Sequence, residues 1–513
     1  MAKPIQKVVI LGGGAAGWLT AGTLAAEHLS AQPDGLEVVL VESPDVKILG
    51  VGEGTWPTMR ATLNKMGIKE ADFIRECDAA FKQGAKFCQW THNDKQDFYY
   101  HPLVLPHNFN QINLAQYWSN EYELSFADAV CPQSQLCEQG LAPKQISTPE
   151  YAHVANYAYH LDAGKFTQFL KKHCLERLGV QYIQDHIDSV QGDPNSDIKG
   201  LVGRKSGLIS GDLFIDCSGF AARLIADHYQ VAHISQKNVL FNDTAIAAHV
   251  KYPQPDSPIA SHTVSTATAN GWIWDIGLQS RRGVGHVFAS DYVSHAEAEQ
   301  QLIDYITATS EMNADEISCK TLNLNPGYRE KFWVKNCVAI GVSAGFIEPL
   351  EASALVLVEL SAAMLSENLP ADRAVMEIAA KRFNETFNYR WQRIIDFLKL
   401  HYCISQRDDS NYWRDHRDPA SWPESLSELL AMWQYQGPWK KDFTHIEEVF
   451  PSASYQYVLY GMGYQHKTHS RASRTRQQLH LAQAGFAQNQ QITEKMLAHL
   501  PAHRRLINHI IQA

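Results

Sequence analysis

The run "KVVILGG" (residues 7–13) is continuously apolar up to its glycines, the pattern of a strand buried on both faces of a parallel sheet. The Ala- and Leu-rich stretch "AAGWLTAGTLAAEHL" (15–29) follows as a helix, and "LEVVLVES" (36–43) returns as a second strand. Together they close a βαβ unit within about 40 residues. Over 68–87, "IKEADFIRECDAAFKQGAKF", Phe73, Cys77 and Phe81 recur every four residues, which predicts a helix. Residues 91–150 carry many aromatics and prolines but no periodic stripe, and read as loops and short strands of an insertion. Residues 159–178 return to a helical pattern. The stretches 179–193 and 198–220 alternate like a strand meander ending on the buried "DLFIDCSG". In "NGWIWDIGLQSRRG" (270–283), alternation places Trp272 and Trp274 on one face of a strand, with Ile273 and Asp275 on the other. Beyond residue 354 the chain turns helical, in "ALVLVELSAAMLSENL" and "AVMEIAAKRFNETFNYRWQRIIDFLKLHY".

This order predicts an α/β protein: a Rossmann-like nucleotide-binding domain joined to a largely helical C-terminal domain. The division expected is 1–355, with substrate-side insertions at about 91–150 and 250–330, then 356–513 as a helical covering domain. A chain of 513 residues exceeds one ordinary core, which agrees with two parts. A net charge of −10 argues against nucleic acid or an anionic membrane as the main partner. No stretch of 18 apolar residues predicts a membrane span, and the opening "MAKPIQKVVILGGG" carries no export signal. The nine cysteines include no C-x-x-C pair and read as reduced thiols of a cytoplasmic protein.

Gly12, Gly14 and Gly17 complete G-x-G-x-x-G directly after a buried strand and at the opening of a helix. In that context the glycines, with Ala15 and Ala16, let a pyrophosphate approach the free N–H groups of the helix start. Glu42, ending the second strand, is placed to accept ribose hydroxyls. Asp216 in "DLFIDCSGF", and the strand–turn–helix "NCVAIGVSAGFIEPLE" (336–351) with Gly341 and Ile347, favour FAD over a nicotinamide, and so a Rossmann-like FAD-binding domain of the aromatic-hydroxylase type. No second strand-linked fingerprint is present, so electrons are expected from elsewhere.

These motifs together resemble the flavin-dependent tryptophan halogenases. The G-x-G-x-x-G lies at 12–17, "GVGEGTWP" with Gly52 at 50–57, "AFK" at 80–82, a W-x-W-x-I motif at 272–276, "AGFIEPLE" at 344–351 and "DFLKLHY" at 396–402. The resemblance implies a two-component enzyme. A separate NAD(P)H-dependent flavin reductase supplies reduced FAD, which with O2 oxidises bromide or chloride to hypohalous acid, and the oxidant passes to a lysine beside an electron-rich aromatic. It assigns Lys82 as that lysine, with Lys86 as the competing candidate one helical turn on. Glu351 is the carboxylate that positions the oxidant or takes the ring proton, and Glu348 is structural. Ser353 and Ala354, at a helix start, form the halide pocket. Trp272 and Trp274 wall the flavin from the substrate, and His101, Leu103 and Tyr455 face the aromatic substrate. A homodimer is also implied.

Three positions depart from the family's tryptophan-specific members. Ala352 stands where Ser follows the glutamate, Leu103 where an aromatic stacks on the indole, and Gly277 where the tryptophan motif ends in Pro. Gly277 predicts an exit turn of different shape. These departures leave the substrate open among indoles, tryptophan and similar arenes. A flavin monooxygenase that hydroxylates directly, or a flavin-binding protein without halogenase activity, is the alternative. His499 and His503 have a four-residue spacing but no third ligand, and Pro501 interrupts the helix between them, so they read as a surface segment rather than a metal site.

Overall fold

Val8, Val9 and Ile10 have no exposed surface because their strand, Lys7–Leu11, runs between two parallel neighbours, Glu37–Glu42 and Leu213–Asp216. Burying each such side chain is worth roughly 1.5–3 kcal/mol. The computed structural model describes residues 4–45, 52–119, 123–443, 445, 448–466 and 476–512. Gly50 and Val51 of the "GVGEGTWP" segment lie outside them. The sheet runs Trp333–Val334, Cys337–Ala339, Leu213–Asp216, Lys7–Leu11, Glu37–Glu42, Gln181–Gln184, and is parallel apart from its first pair. Helix Ala15–Glu27 covers one face. It is apolar nearly all round because helices Ala163–Arg177 and Ser353–Glu367 pack against it in turn. On the other face lies the meander Ile187–Gln191, Gly200–Gly203 and Gly207–Ser210, whose Leu201 and Ile209 join Val9, Val39 and Phe214 in one core.

The chain forms two compact units, each drawn from three segments. The first comprises 1–79, 161–236 and 325–391, and the second 80–160, 237–324 and 392–513. This differs from a single break near 355. Residues 91–150 and 250–324 belong with the C-terminal helices, and helix Ser353–Glu367 belongs with the nucleotide-type sheet. Strand pairing between distant segments sets this division, and reading along the chain does not show it.

The second unit is built on a seven-stranded sheet ordered Cys319–Asn323, Thr244–Lys251, Arg281–Phe288, Gly271–Gly277, Thr263–Thr268, Gly84–Cys88, Phe98–Pro102. Only the pairing of Thr263–Thr268 with Gly84–Cys88 is parallel. Helix His295–Thr309, started by a capping box of Ser294 and Glu297, buries Ala298, Leu302 and Ile306 against Ile246, Ile273 and Val284.

Two expected helices are corrected. The helix over 68–87 is only Glu70–Glu76. Asp78 enters the left-handed region at φ 54°, and the chain continues as strands Ala80–Lys82 and Gly84–Cys88. Phe73 packs on Phe166 and Phe169, whereas Phe81 packs on Tyr157 and Tyr159, so their spacing joins two different cores. In 159–178 the first residues form strand Ala158–Asp162. The helix begins at Ala163, where the Asp162 side chain accepts the Lys165 N–H at 3.0 Å.

Candidate functional site

The first unit carries the nucleotide-type residues. Gly12 has φ 122°, and a Cβ there would sit 2.1 Å from the Cys217 carbonyl oxygen. One on Gly17 would sit 1.9 Å from the Gly12 oxygen. Both glycines are therefore required by the fold. At Gly14 a Cβ would meet nothing within 4 Å, and no side chain caps the helix. Open space thus lies beside Gly14 at the helix start, where the first N–H groups have no intrahelical carbonyl to bond. Gly341, at φ 78°, packs so closely on Ala16 that a Cβ would lie 2.7 Å from the alanine methyl. Ile347 is buried nearby in sequence, and Gly52 opens the short strand Gly52–Gly54. This glycine-lined cradle at a helix start fits a dinucleotide pyrophosphate.

Glu42 ends its strand against Gly13 and accepts hydrogen bonds from Lys171 Nζ and the Tyr182 hydroxyl, both at 2.7 Å. This cationic and phenolic partnership has no signal in the local sequence. The Asp216 side chain closes the turn after its strand. It is fully buried and accepts from Ser218 N (3.0 Å) and Oγ (2.6 Å), Leu224 N (2.7 Å) and Ile225 N (2.9 Å). Both its oxygens fix the turn into Arg223–His228.

The "EPLEAS" turn is strained. Glu351 (φ 66°) and Ala352 (φ 54°) occupy the left-handed region in succession, immediately before helix Ser353–Glu367. Trp56 Nε1 donates to the Glu351 carbonyl at 2.9 Å, and Ala352 N donates to Pro349 O at 3.0 Å. Glu351 and Ser353 are buried while Ala354 is exposed. Neither residue of the turn is glycine, so nothing in the sequence announces it. Farther along the helix, Glu359 accepts from Thr58 (3.2 Å) and Thr62 (2.6 Å), and burial pushes its carboxyl up to about 8. Burial likewise raises Glu53, whose Oε2 is enclosed although the residue is only partly buried, to about 7.

The second unit carries Lys82, the last residue of strand Ala80–Lys82 and not a helical residue. It is only 2% exposed. The strand pairs antiparallel with Ala158–Asp162, Ala80 opposite His160 and Lys82 opposite Ala158, which puts His160 diagonally across from Lys82 on one face. Burial, then the charge of Lys82, holds His160 well below its ordinary value. Lys86 lies on the next strand, where its Nζ pairs with Glu138 at 2.5 Å and sits 4.1 Å over the Phe98 ring.

Strand Gly271–Gly277 alternates as expected. The Trp272 and Trp274 rings are 6.3 Å apart in a T-shaped pair, and Trp272 continues to Trp90 at 6.4 Å. On the opposite face Ile273 enters the helix-covered core, and Asp275 pairs with Arg282 (Nε at 2.9 Å) and Tyr305. His101 bonds Ser454 Oγ through Nε2 at 2.9 Å and packs on Phe397 and Phe450. Tyr455 has no exposed surface and packs on Phe397, Trp433 and Phe443; Leu103 is half-buried.

The sequence model described as tryptophan halogenase matches residues 7–478. The chain belongs to the tryptophan halogenase family. It is 30% identical over 480 residues to tryptophan 6-halogenase SttH of Streptomyces toxytricini, covering 89% of each chain. A tryptophan halogenase from Shewanella frigidimarina NCIMB 400 superposes with a TM-score of 0.96 at 48% identity, over 99% of this chain and 98% of that one. Tar14, a tryptophan C-6 flavin-dependent halogenase from taromycin biosynthesis, superposes with a TM-score of 0.91 at 28% identity, over 99% and 100%. The chain is thus an enzyme, a flavin-dependent halogenase, with the FAD-binding Rossmann-like fold.

In this halogenase Gly277 is buried, and a Cβ there would lie 3.0 Å from Ile259 Cγ2 and 3.2 Å from the Tyr252 hydroxyl. His503 is corrected as a surface residue. It is 1% exposed and opens helix His503–Gln512, whereas His499 ends helix Arg476–His499. Among the described residues no group of three or more His, Cys, Asp and Glu is arranged for a metal, and no helix is long and apolar enough to cross a membrane.

Proposed function

We propose that the enzyme halogenates an electron-rich arene of the indole or tryptophan type, using O2, bromide or chloride, and reduced FAD delivered by a separate NAD(P)H-dependent reductase. The observation that carries this reading is Lys82, an almost fully buried lysine ending a short strand within the halogenase fold. Gly12, Gly14, Ala15, Ala16 and Gly17 hold the pyrophosphate, with Glu42, Gly52, Gly341 and Ile347 as the remaining contacts. Bound there, reduced FAD supplies with O2 the two-electron oxidation of halide to hypohalous acid. The N–H groups of Ser353 and Ala354 hold the halide at the positive end of their helix. The Lys82 amine hydrogen-bonds the hypohalous acid and aims its halogen at the arene. Glu351 takes the proton that the ring loses as aromaticity returns. Trp272 and Trp274 keep the arene from the flavin, so that only a small oxidant reaches Lys82, and His101, Leu103 and Tyr455 shape the substrate side.

The test combines the enzyme with FAD, NADH, an added flavin reductase, bromide and indole or tryptophan, with products read by mass spectrometry. A brominated arene is expected. Lys82→Ala is expected to lower its formation by about 10²-fold or more while FAD binding persists. A hydroxylated product formed without halide overturns the reading.

A further inference from the structure

We propose that His503, from the C-terminal helix, is a positioning residue that sets the backbone carrying Lys82; the proposal rests on the Lys82 reading above. His503 Nε2 lies 3.0 Å from Phe81 N, and its Nδ1 lies 3.0 Å from the Ile259 carbonyl. The Phe81 N–H can only donate, so Nε2 carries the lone pair and the ring is neutral with its proton on Nδ1. The ring therefore acts as a two-ended clamp, accepting from the residue before Lys82 and donating to segment 259–261. That segment also holds the residue after Lys82, because Gln83 N donates to Ser261 O at 2.6 Å. The peptide group before Phe81, through His503, and the one after Lys82, directly, are thus fixed to one stretch of chain.

The same stretch packs on Gly277, where the space a Cβ would fill is bounded by Ile259 at 3.0 Å and Ala260 N at 3.3 Å. Arg504, next to His503, extends the clamp through Nε to Ser257 O (2.7 Å) and Nη1 to Gln279 O (2.8 Å). The start of the last helix therefore couples the Lys82 strand to the exit of the tryptophan strand. A reacting group displaced by about 1 Å loses about 10²-fold in rate, and oxidation of halide at the flavin does not need Lys82. Loosening the clamp should therefore separate the two half-reactions.

The test uses full-length enzyme with FAD, NADH, an added reductase, bromide and indole. It measures brominated indole alongside free hypobromous acid caught by a diketone trap. In His503→Gln the side-chain oxygen reaches the Nε2 position and keeps the Phe81 bond, whereas His503→Asn reaches only the Nδ1 position and keeps the Ile259 bond. The expected result is product per hypobromous acid falling about 10-fold in His503→Asn, with KM for indole unchanged and near-complete rescue in His503→Gln. Equal coupling in a folded His503→Asn, or an equal loss of halide oxidation and product, overturns the positioning role. If Lys82→Ala itself stays coupled, the Lys82 reading has failed instead. A further arm needs no variant: hydrogen exchange of the Phe81 amide in the wild-type enzyme should match the core strands, and fast exchange there overturns the clamp.

Discussion

Glu351 and Ala352 both hold left-handed backbone, a conformation that costs a residue with a Cβ of order 1 kcal/mol or more. The turn persists because the Trp56 indole and the Ala352–Pro349 hydrogen bond anchor it between the buried Leu350 and helix Ser353–Glu367. Ala352→Gly removes the Cβ clash and should stabilise the fold or leave it unchanged, by at most about 1 kcal/mol. Ala352→Val places a β-branched side chain at φ 54° and should cost about 1–3 kcal/mol. Urea midpoints for the two variants check the order, and a Val variant as stable as wild type would show that the turn relaxes freely. This strain is also where sequence reading ran out. Gly12 and Gly17 were legible because the tight approach selects glycine, whereas a left-handed Glu–Ala pair looks like any helix start. The strand that carries Lys82 left no mark in the pattern either, because the helical period of 68–87 runs straight across it.

At the scale of elements, period decides what can be read. "GWIWDIG" alternates strictly, and the strand, its faces and the tryptophan pair follow. Residues 68–87 mimic a helical period because Phe73 and Phe81 happen to anchor two separate cores, and the left-handed Asp78 between them leaves no mark in the pattern. The tryptophan pair also needs a partner strand that makes room. A Cβ on Gly285 would sit 2.2 Å from Trp274 Cζ2, so this glycine, directly opposite Trp274, admits the indole. Gly285→Ala should force the ring aside and cost about 1–3 kcal/mol by overpacking. Chemical denaturation measures that loss, and near-ultraviolet circular dichroism should change with it. An unperturbed variant would mean that the indole has a second resting place.

Over the whole molecule the two units bury titratable groups of opposite kind. Every buried histidine among the described residues lies in the second unit, and burial holds His262, His286 and His503 at about 4, with His160 and His416 also well below the ordinary value. The unfolded chain takes up these protons near pH 6.5. The stability they contribute is therefore whole above that pH and is lost as pH falls toward 4. Asp396, raised to about 6 by burial, opposes this loss with a single proton. In the first unit, burial raises Glu359 to about 8 and Glu53 to about 7, against 4.5 when exposed. Their contribution is whole below pH 4.5 and is lost as pH rises through 7–8. The half-buried His228 and His233, lowered by burial, add a smaller acid-side loss to the same unit. The two units should accordingly weaken at opposite ends of the pH range. Hydrogen exchange read by mass spectrometry at pH 5 and pH 8.5, corrected for intrinsic rates, should show protection falling first in the second unit at acid pH and in the first at alkaline pH. Glu359→Gln should remove part of the alkaline loss, because an amide has no proton to give up. Uniform loss of protection across both units at both pH values would mean that they unfold as one cooperative body, with the buried histidines and carboxyls drawing on a shared stability.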